Sequence, residues 1–236
     1  MTTLADDKSL SRLLLEATWM QRLPDAVCDQ VLSEVYESVH EAGETIARKG
    51  EPVNSWMGVG EGLLKVTGSF RSGKVVLFSG IPEGSWVGEG SVVKDEQRHY
   101  DVVAVRRSRV IHIPRSTFHW LMGISFEFNH FIVAHLNERL AQFMSMVETD
   151  RMADPIARVS RGIIGLYNPV LYPRMNKLLS MSQVELGELA GLTRQRTNYA
   201  IQELANQGLV EVRYGGLLVK DLPGLKERAR SAEHAE

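Results

Sequence analysis

The chain has 236 residues, 44% of them hydrophobic, with a formal net charge of −2 at pH 7, a length that allows two modest domains with separate cores. Its single cysteine, Cys28, excludes an internal disulfide, and no clustered Cys or His spacing suits zinc or an iron–sulfur centre, so neither metal nor cluster is expected. No apolar run is long enough to cross a membrane, and acidic residues stand near the start where a secretory leader would be positive, which predicts a cytoplasmic protein without membrane partners.

From about His40 to Pro114, short apolar runs alternate with glycine-containing turns. Leu63–Val66, Val75–Phe78 and Val102–Val105 have strand composition, and Arg71-Ser72-Gly73-Lys74 suits a hairpin turn. The pattern predicts a compact antiparallel barrel or roll, a ligand-free β-sandwich being the other all-β solution. His112 sits in one of these strands and is expected to be structural. After Pro114 the character changes: residues 115–122 and then 125 to about 150 lack proline and carry apolar residues at helical spacing. Phe128, Ile132, Leu136, Leu140, Phe143 and Val147 form a stripe down the longer segment that must be covered; within one chain it could pack on the barrel, but its length predicts the seam of a homodimer. Asp154-Pro155 then supplies an N-cap and a proline suited to the first helical position, restarting a helix that runs to about Tyr167. These boundaries divide the chain into 1–114, a connector at 115–153, and 154–236.

The segment from Leu179 to Leu204 contains two helix starts in quick succession. Ser182 with Glu185 three residues on is a capping box, and Leu186, Leu189 and Ala190 form an inward face. Gly191 follows where a tight turn needs a residue without a Cβ, and Thr193 caps the second helix. That helix segregates Arg194, Gln195, Arg196, Asn198 and Tyr199 from an apolar side of Ala200, Ile201 and Leu204. Arginine can pair with guanine O6/N7, and Gln or Asn with adenine N6/N7, when the start of such a helix enters a major groove. Leu209–Val212 and Leu217–Val219 around Tyr214-Gly215-Gly216 add a wing hairpin, with Arg213 a phosphate contact or a solvated strand residue. The balance of charge agrees: acidic residues outnumber basic ones up to Asp150, and basic residues prevail beyond it. These features predict an α+β protein ending in a winged helix-turn-helix that reads double-stranded DNA.

Gly191-Leu192-Thr193-Arg194-Gln195-Arg196, together with Lys49-Gly50-Glu51-Pro52, Gly73-Lys74 and Gly84-Ser85-Trp86-Val87-Gly88-Glu89, resembles the bacterial Crp/Fnr family, which includes the cyclic AMP receptor protein and the fumarate–nitrate regulator. The resemblance spans roughly residues 25–222. It implies a cyclic-nucleotide-binding-like β-roll, a long dimerisation helix and a winged helix-turn-helix, with Ser182, Thr193, Arg194 and Gln195 near the DNA. It also implies a small effector in the roll, held by Gly88, Glu89, Gly90, Ser91, Arg98 and His99, the carboxylate on a ribose hydroxyl and the cation on a phosphate. Arg98 stands one position from the family's phosphate-binding arginine, and Phe143-Met144 replace the Thr-Ser pair that cyclic AMP binders turn toward adenine. Those departures argue against cyclic AMP and leave a different small effector or no effector as the alternatives.

A homodimeric regulator on a near-palindromic operator follows as the expectation, with RNA polymerase a further candidate partner. The rival is a nucleotide-binding module that controls a partner protein through its C-terminal helices. No nucleophile motif, metal-ligand spacing or phosphate loop marks an enzyme, so no catalytic residue is expected.

Overall fold

The computed structural model describes residues 10–69, 75–151 and 154–231; the turn expected at 71–74 lies outside them. The described residues divide into two compact units, one from 1–75 with 80–137 and the other from 76–79 with 138–236. The break falls inside a single long helix, so the connector drawn at 115–153 is shared between the units.

The first unit opens with α1 (Leu10–Leu15) and α2 (Asp25–Glu34). The strands β1 (Tyr36–His40), β2 (Thr45–Ala47), β3 (Ser55–Glu61), β4 (Leu63–Ser69), β5 (Val75–Pro82), β6 (Trp86–Val87), β7 (Asp101–Ala104) and β8 (Ser108–Pro114) follow, with α3 (Glu89–Lys94) between β6 and β7. They form two four-stranded sheets, ordered β1-β8-β3-β6 and β2-β7-β4-β5, which is the expected roll. Then come α4 (Arg115–Ile124) and α5 (Phe126–Arg151).

The core of this unit is aromatic. Trp56 stacks on Trp86 with ring centroids 4.2 Å apart, and Trp19 meets both edge-on or tilted at about 5.5 Å. Phe118 of α4 and Phe128 of α5 close the cluster. This packing corrects the expected seam. Phe128 and Ile132 are 0% and 2% exposed and belong to the core, so these two are not offered to a second chain, and Leu136 is partly buried against it. The outward stripe of α5 lies on other residues: Phe126, His130, Val133, Asn137, Leu140, Met144 and Val147, all exposed and separated by alternating steps of four and three. Phe143 is partly turned away from it, its ring edge on Phe78.

His112 is structural, as expected, and its surroundings explain why it stays neutral. Ser38 Oγ and Ser55 Oγ hydrogen-bond its two ring nitrogens at 2.8 and 2.9 Å, and Tyr36 stacks flat on the ring at 4.6 Å. Burial, then the nearby His40 and Arg98, pulls its pKa from 6.5 down to about 4. An unfolded chain takes up this proton near pH 6.5, whereas the folded one resists until about pH 4. Stability contributed at neutral pH is therefore lost as pH falls across that window, by about 3 kcal/mol in all. Melting of the wild type from pH 7 to pH 4 should lose that much more than His112→Gln does; parallel curves would show that His112 is not the group responsible.

The second unit contains α6 (Pro155–Gly165), β9 (Leu178–Leu179), α7 (Gln183–Ala190), α8 (Arg194–Asn206), β10 (Val210–Arg213), β11 (Gly216–Val219) and α9 (Leu222–Ser231). α6 starts as its sequence dictates: Asp154 Oδ1 accepts from the Ile156 N–H at 2.9 Å, and Pro155 takes the first position. β10 and β11 pair antiparallel about Tyr214-Gly215, and β9 extends the wing to three strands.

Candidate functional site

The helix-turn-helix is built by local chemistry. The Glu185 N–H donates to Ser182 Oγ at 3.2 Å while the Glu185 carboxylate accepts from the Ser182 N–H at 2.8 Å, which completes the capping box. Gly191 ends α7 in the left-handed conformation at φ +62°, where a side chain would be strained. Thr193 caps α8 through the Arg196 N–H. Ser182 and Thr193 thus serve first as caps, setting where each helix begins.

Arg194, Gln195, Arg196, Asn198 and Tyr199 are all exposed on α8, while Thr197, Ala200, Ile201 and Leu204 are buried beneath them. The segregation expected from sequence is present, and Thr197 adds to it. Its hydroxyl donates to the Thr193 carbonyl at 3.0 Å and faces Gly187 of α7. Arg158 was not foreseen as part of this module. From α6 it donates to the Ala190 and Gly191 carbonyls at 2.8 and 3.3 Å, satisfying acceptors that the end of α7 leaves without intrahelical partners. Only a cation at a helix C-terminus could have hinted at it, and Arg158 is distant in sequence from that terminus. On the wing, Arg213 pairs with Glu211 at 2.7 Å, and Tyr214 is fully exposed at the tip.

The residues expected to hold an effector separate into two groups. Gly88 caps α3, and Glu89, Ser91 and Arg98 are 3%, 5% and 6% exposed, with Gly90 facing Leu136 of α5. The Glu89 carboxylate stands 3.3 Å from Nδ1 of the buried His135 on α5, a partner the sequence did not reveal. Arg98 donates to the Ser55 carbonyl at 3.1 Å; its Nη1 has no hydrogen-bond partner among the described residues and would stand 3.0 Å from any Cβ at Gly88. Burial lowers the Arg98 pKa, yet a guanidinium stays charged at any ordinary pH. A buried cationic donor with spare capacity suits an anionic group. His99 does not join them. It is exposed and bonded to Glu96 at 2.9 Å, and with Lys94 it holds that carboxyl below its usual range, the Lys94 bond being the larger cause. Asp101, which would repel a phosphate, accepts instead from the Lys49 N–H.

A roll and a capped, winged helix-turn-helix in one chain define a DNA-binding transcription regulator with a cyclic-nucleotide-type domain. Residues 37–124 match the cyclic nucleotide-binding domain family and residues 138–228 the Crp-like helix-turn-helix domain family. The transcriptional regulator SdrP of Thermus thermophilus is 26% identical over 208 residues, covering 85% of this chain and 98% of that protein. The transcriptional regulatory protein btr of Bordetella pertussis is 22% identical over 198 residues, 79% and 78% of the two chains. In fold, the chain is similar to FixK2 from Bradyrhizobium japonicum, with a TM-score of 0.68 at 17% identity over 82% of this chain and 96% of that one. The chain belongs to the Crp/Fnr family of transcription regulators. No helix among the described residues is long and apolar enough to cross a membrane.

Proposed function

We propose that the chain works as a homodimer that places two α8 helices in successive major grooves of a near-palindromic operator, with α5 as the dimer seam. The observation that carries this is the exposed α5 stripe: Phe126, Val133, Leu140, Met144 and Val147 are 80%, 65%, 58%, 60% and 57% exposed. With His130 and Asn137 between them, the row runs in steps of four and three, the heptad spacing of a two-stranded coiled coil. Large apolar side chains in such a row need a cover. His130 and Asn137 interrupt it, and polar residues at such positions fix register and partner number at a cost in stability.

Leu140→Glu with Met144→Glu should convert the dimer to monomer, weakening association at least about a hundredfold, since each buried side chain contributes about 2 kcal/mol. Sedimentation equilibrium reads this directly, and a double variant that stays dimeric would sink the seam. Phe128→Glu, at a core position of the first unit, should unfold that unit instead of yielding a folded monomer.

In the same reading the roll senses a small effector through Arg98 and Glu89, which suit the phosphate and a hydroxyl of a nucleotide-like ligand. Phe143 and Met144 carry no hydrogen-bonding group for adenine, so cyclic AMP is disfavoured. A ligand of the folded state raises the melting temperature by mass action. A panel of nucleotides should therefore contain one whose stabilisation is lost in Arg98→Gln, and a shift that Arg98→Gln leaves intact would remove Arg98 from the site. DNA retention on genomic fragments discriminates the reading from a module that acts only on a partner protein.

A further inference from the structure

The second unit contains a cavity of about 350 Å³ between α5, α6, the loop after α6 and Lys226 of α9. That volume lies within the range of small-molecule sites. Two features show what it would take. The first is how the space is made: Gly162 and Gly165 present no side chain there, and a Cβ on Gly165 would meet nothing within 4 Å. At Gly162 it would meet only the Leu189 side chain, at an ordinary 3.8 Å. Packing therefore does not demand glycine at either position, although glycine inside a helix is unfavourable relative to alanine. What the glycines preserve is room.

The second feature is the lining. Met146 and Leu189 give it apolar walls, Arg161 and Lys226 are its charged members, and no carboxylate lines it. Arg161 is anchored across to Glu148 at 2.7 Å. Gln142 donates to the Tyr172 hydroxyl at 2.7 Å, and Asn168 Oδ1 caps the Val170 and Leu171 N–H groups. These amides already hold partners within the protein, which leaves Lys226 to receive an incoming charge. The α5 residues that line the cavity, Ala141, Gln142, Ser145 and Met146, lie across the helix from Leu140, Met144 and Val147. A dimer through the outward stripe would leave the cavity open.

We propose that this cavity is a binding site for an amphipathic organic anion, its apolar body against Met146 and Leu189 and its anionic head at Lys226. The site is separate from the roll and does not depend on the DNA or dimer readings. Because the cavity is walled by α5, α6 and α7, an occupant would tie the end of the long helix to the first helix of the helix-turn-helix.

The test is fluorescence titration of the full-length protein with anilinonaphthalene sulfonate, an aromatic anion of this type, combined with hydrogen exchange. Binding should protect the 155–169 segment. Gly165→Leu, which fills the space from a helical position, should weaken binding about tenfold or more, and Lys226→Gln should weaken it severalfold. Decanoate should displace the probe better than decanol. Unchanged affinity in both variants, protection confined to other segments, or equal displacement by the acid and the alcohol would each overturn the proposal. Should Gly165→Leu fail to fold, Lys226→Gln and the exchange pattern of the wild type decide.

Discussion

Replacing Arg194 and Arg196 together by alanine should reduce operator affinity by about a hundredfold to a thousandfold while leaving the melting temperature unchanged. Both side chains are exposed on the first turn of α8, and alanine is a better helix former than arginine, so helix propensity offsets what the exposed side chains contribute to the fold. A bidentate arginine–guanine pair is worth about 1–3 kcal/mol, and a phosphate contact contributes through counterion release. The two roles can be separated. If an arginine reads a base, its single variant loses discrimination at one operator position; if it holds phosphate, affinity falls for all sequences and the salt dependence shallows by about one ion. Gel retention at several salt concentrations makes the measurement, and a double variant binding as tightly as the wild type would remove α8 from the groove.

Gly187→Ala should destabilise the second unit by about 1–3 kcal/mol, and Gly187→Val by more. A Cβ there would stand 2.5 Å from Thr197 Oγ1, 3.3 Å from the Leu192 carbonyl oxygen and 3.4 Å from Thr197 Cβ. Thr197 is fully buried and held by its bond to Thr193, so it cannot swing aside. The missing side chain lets α7 lie close against Thr197 of α8, while the left-handed turn at Gly191 brings the Leu192 N–H to the Gly187 carbonyl at 2.8 Å. Urea unfolding followed by tyrosine emission should show the loss, and Thr197→Ala should restore part of it in the Gly187→Ala background. Additive losses in the double variant would mean that the two residues do not share this contact.

How much of this was legible in the sequence depended on the range of the interactions involved. The caps at Asp154, Ser182 and Thr193 and the turn at Gly191 act within three or four residues, and each was readable in advance. The outward face of α5 was not, because the helix carries two apolar faces. Phe128 and Ile132 pack inward while Val133, Leu140 and Met144 point outward, and a period of 3.6 residues allows a stripe that mixes the two. The contacts of Arg158 and His135 are hidden in the sequence for a related reason. Their partners, the Ala190 carbonyl and Glu89, are 32 and 46 positions away, and only the fold brings them together. Adjacency in sequence groups His99 with Arg98, yet neighbouring residues in an irregular segment need not face the same way.

The aromatic cluster of the roll has an optical consequence. All four tryptophans, Trp19, Trp56, Trp86 and Trp120, lie in the first unit, three of them within about 5.5 Å of one another, whereas Tyr167, Tyr172, Tyr199 and Tyr214 lie in the second. Excitation at the red edge of the spectrum therefore reports on the first unit alone, whereas tyrosine emission mixes these four with Tyr36 and Tyr100 of the first unit, so tryptophan is the native reporter that separates one unit from the other.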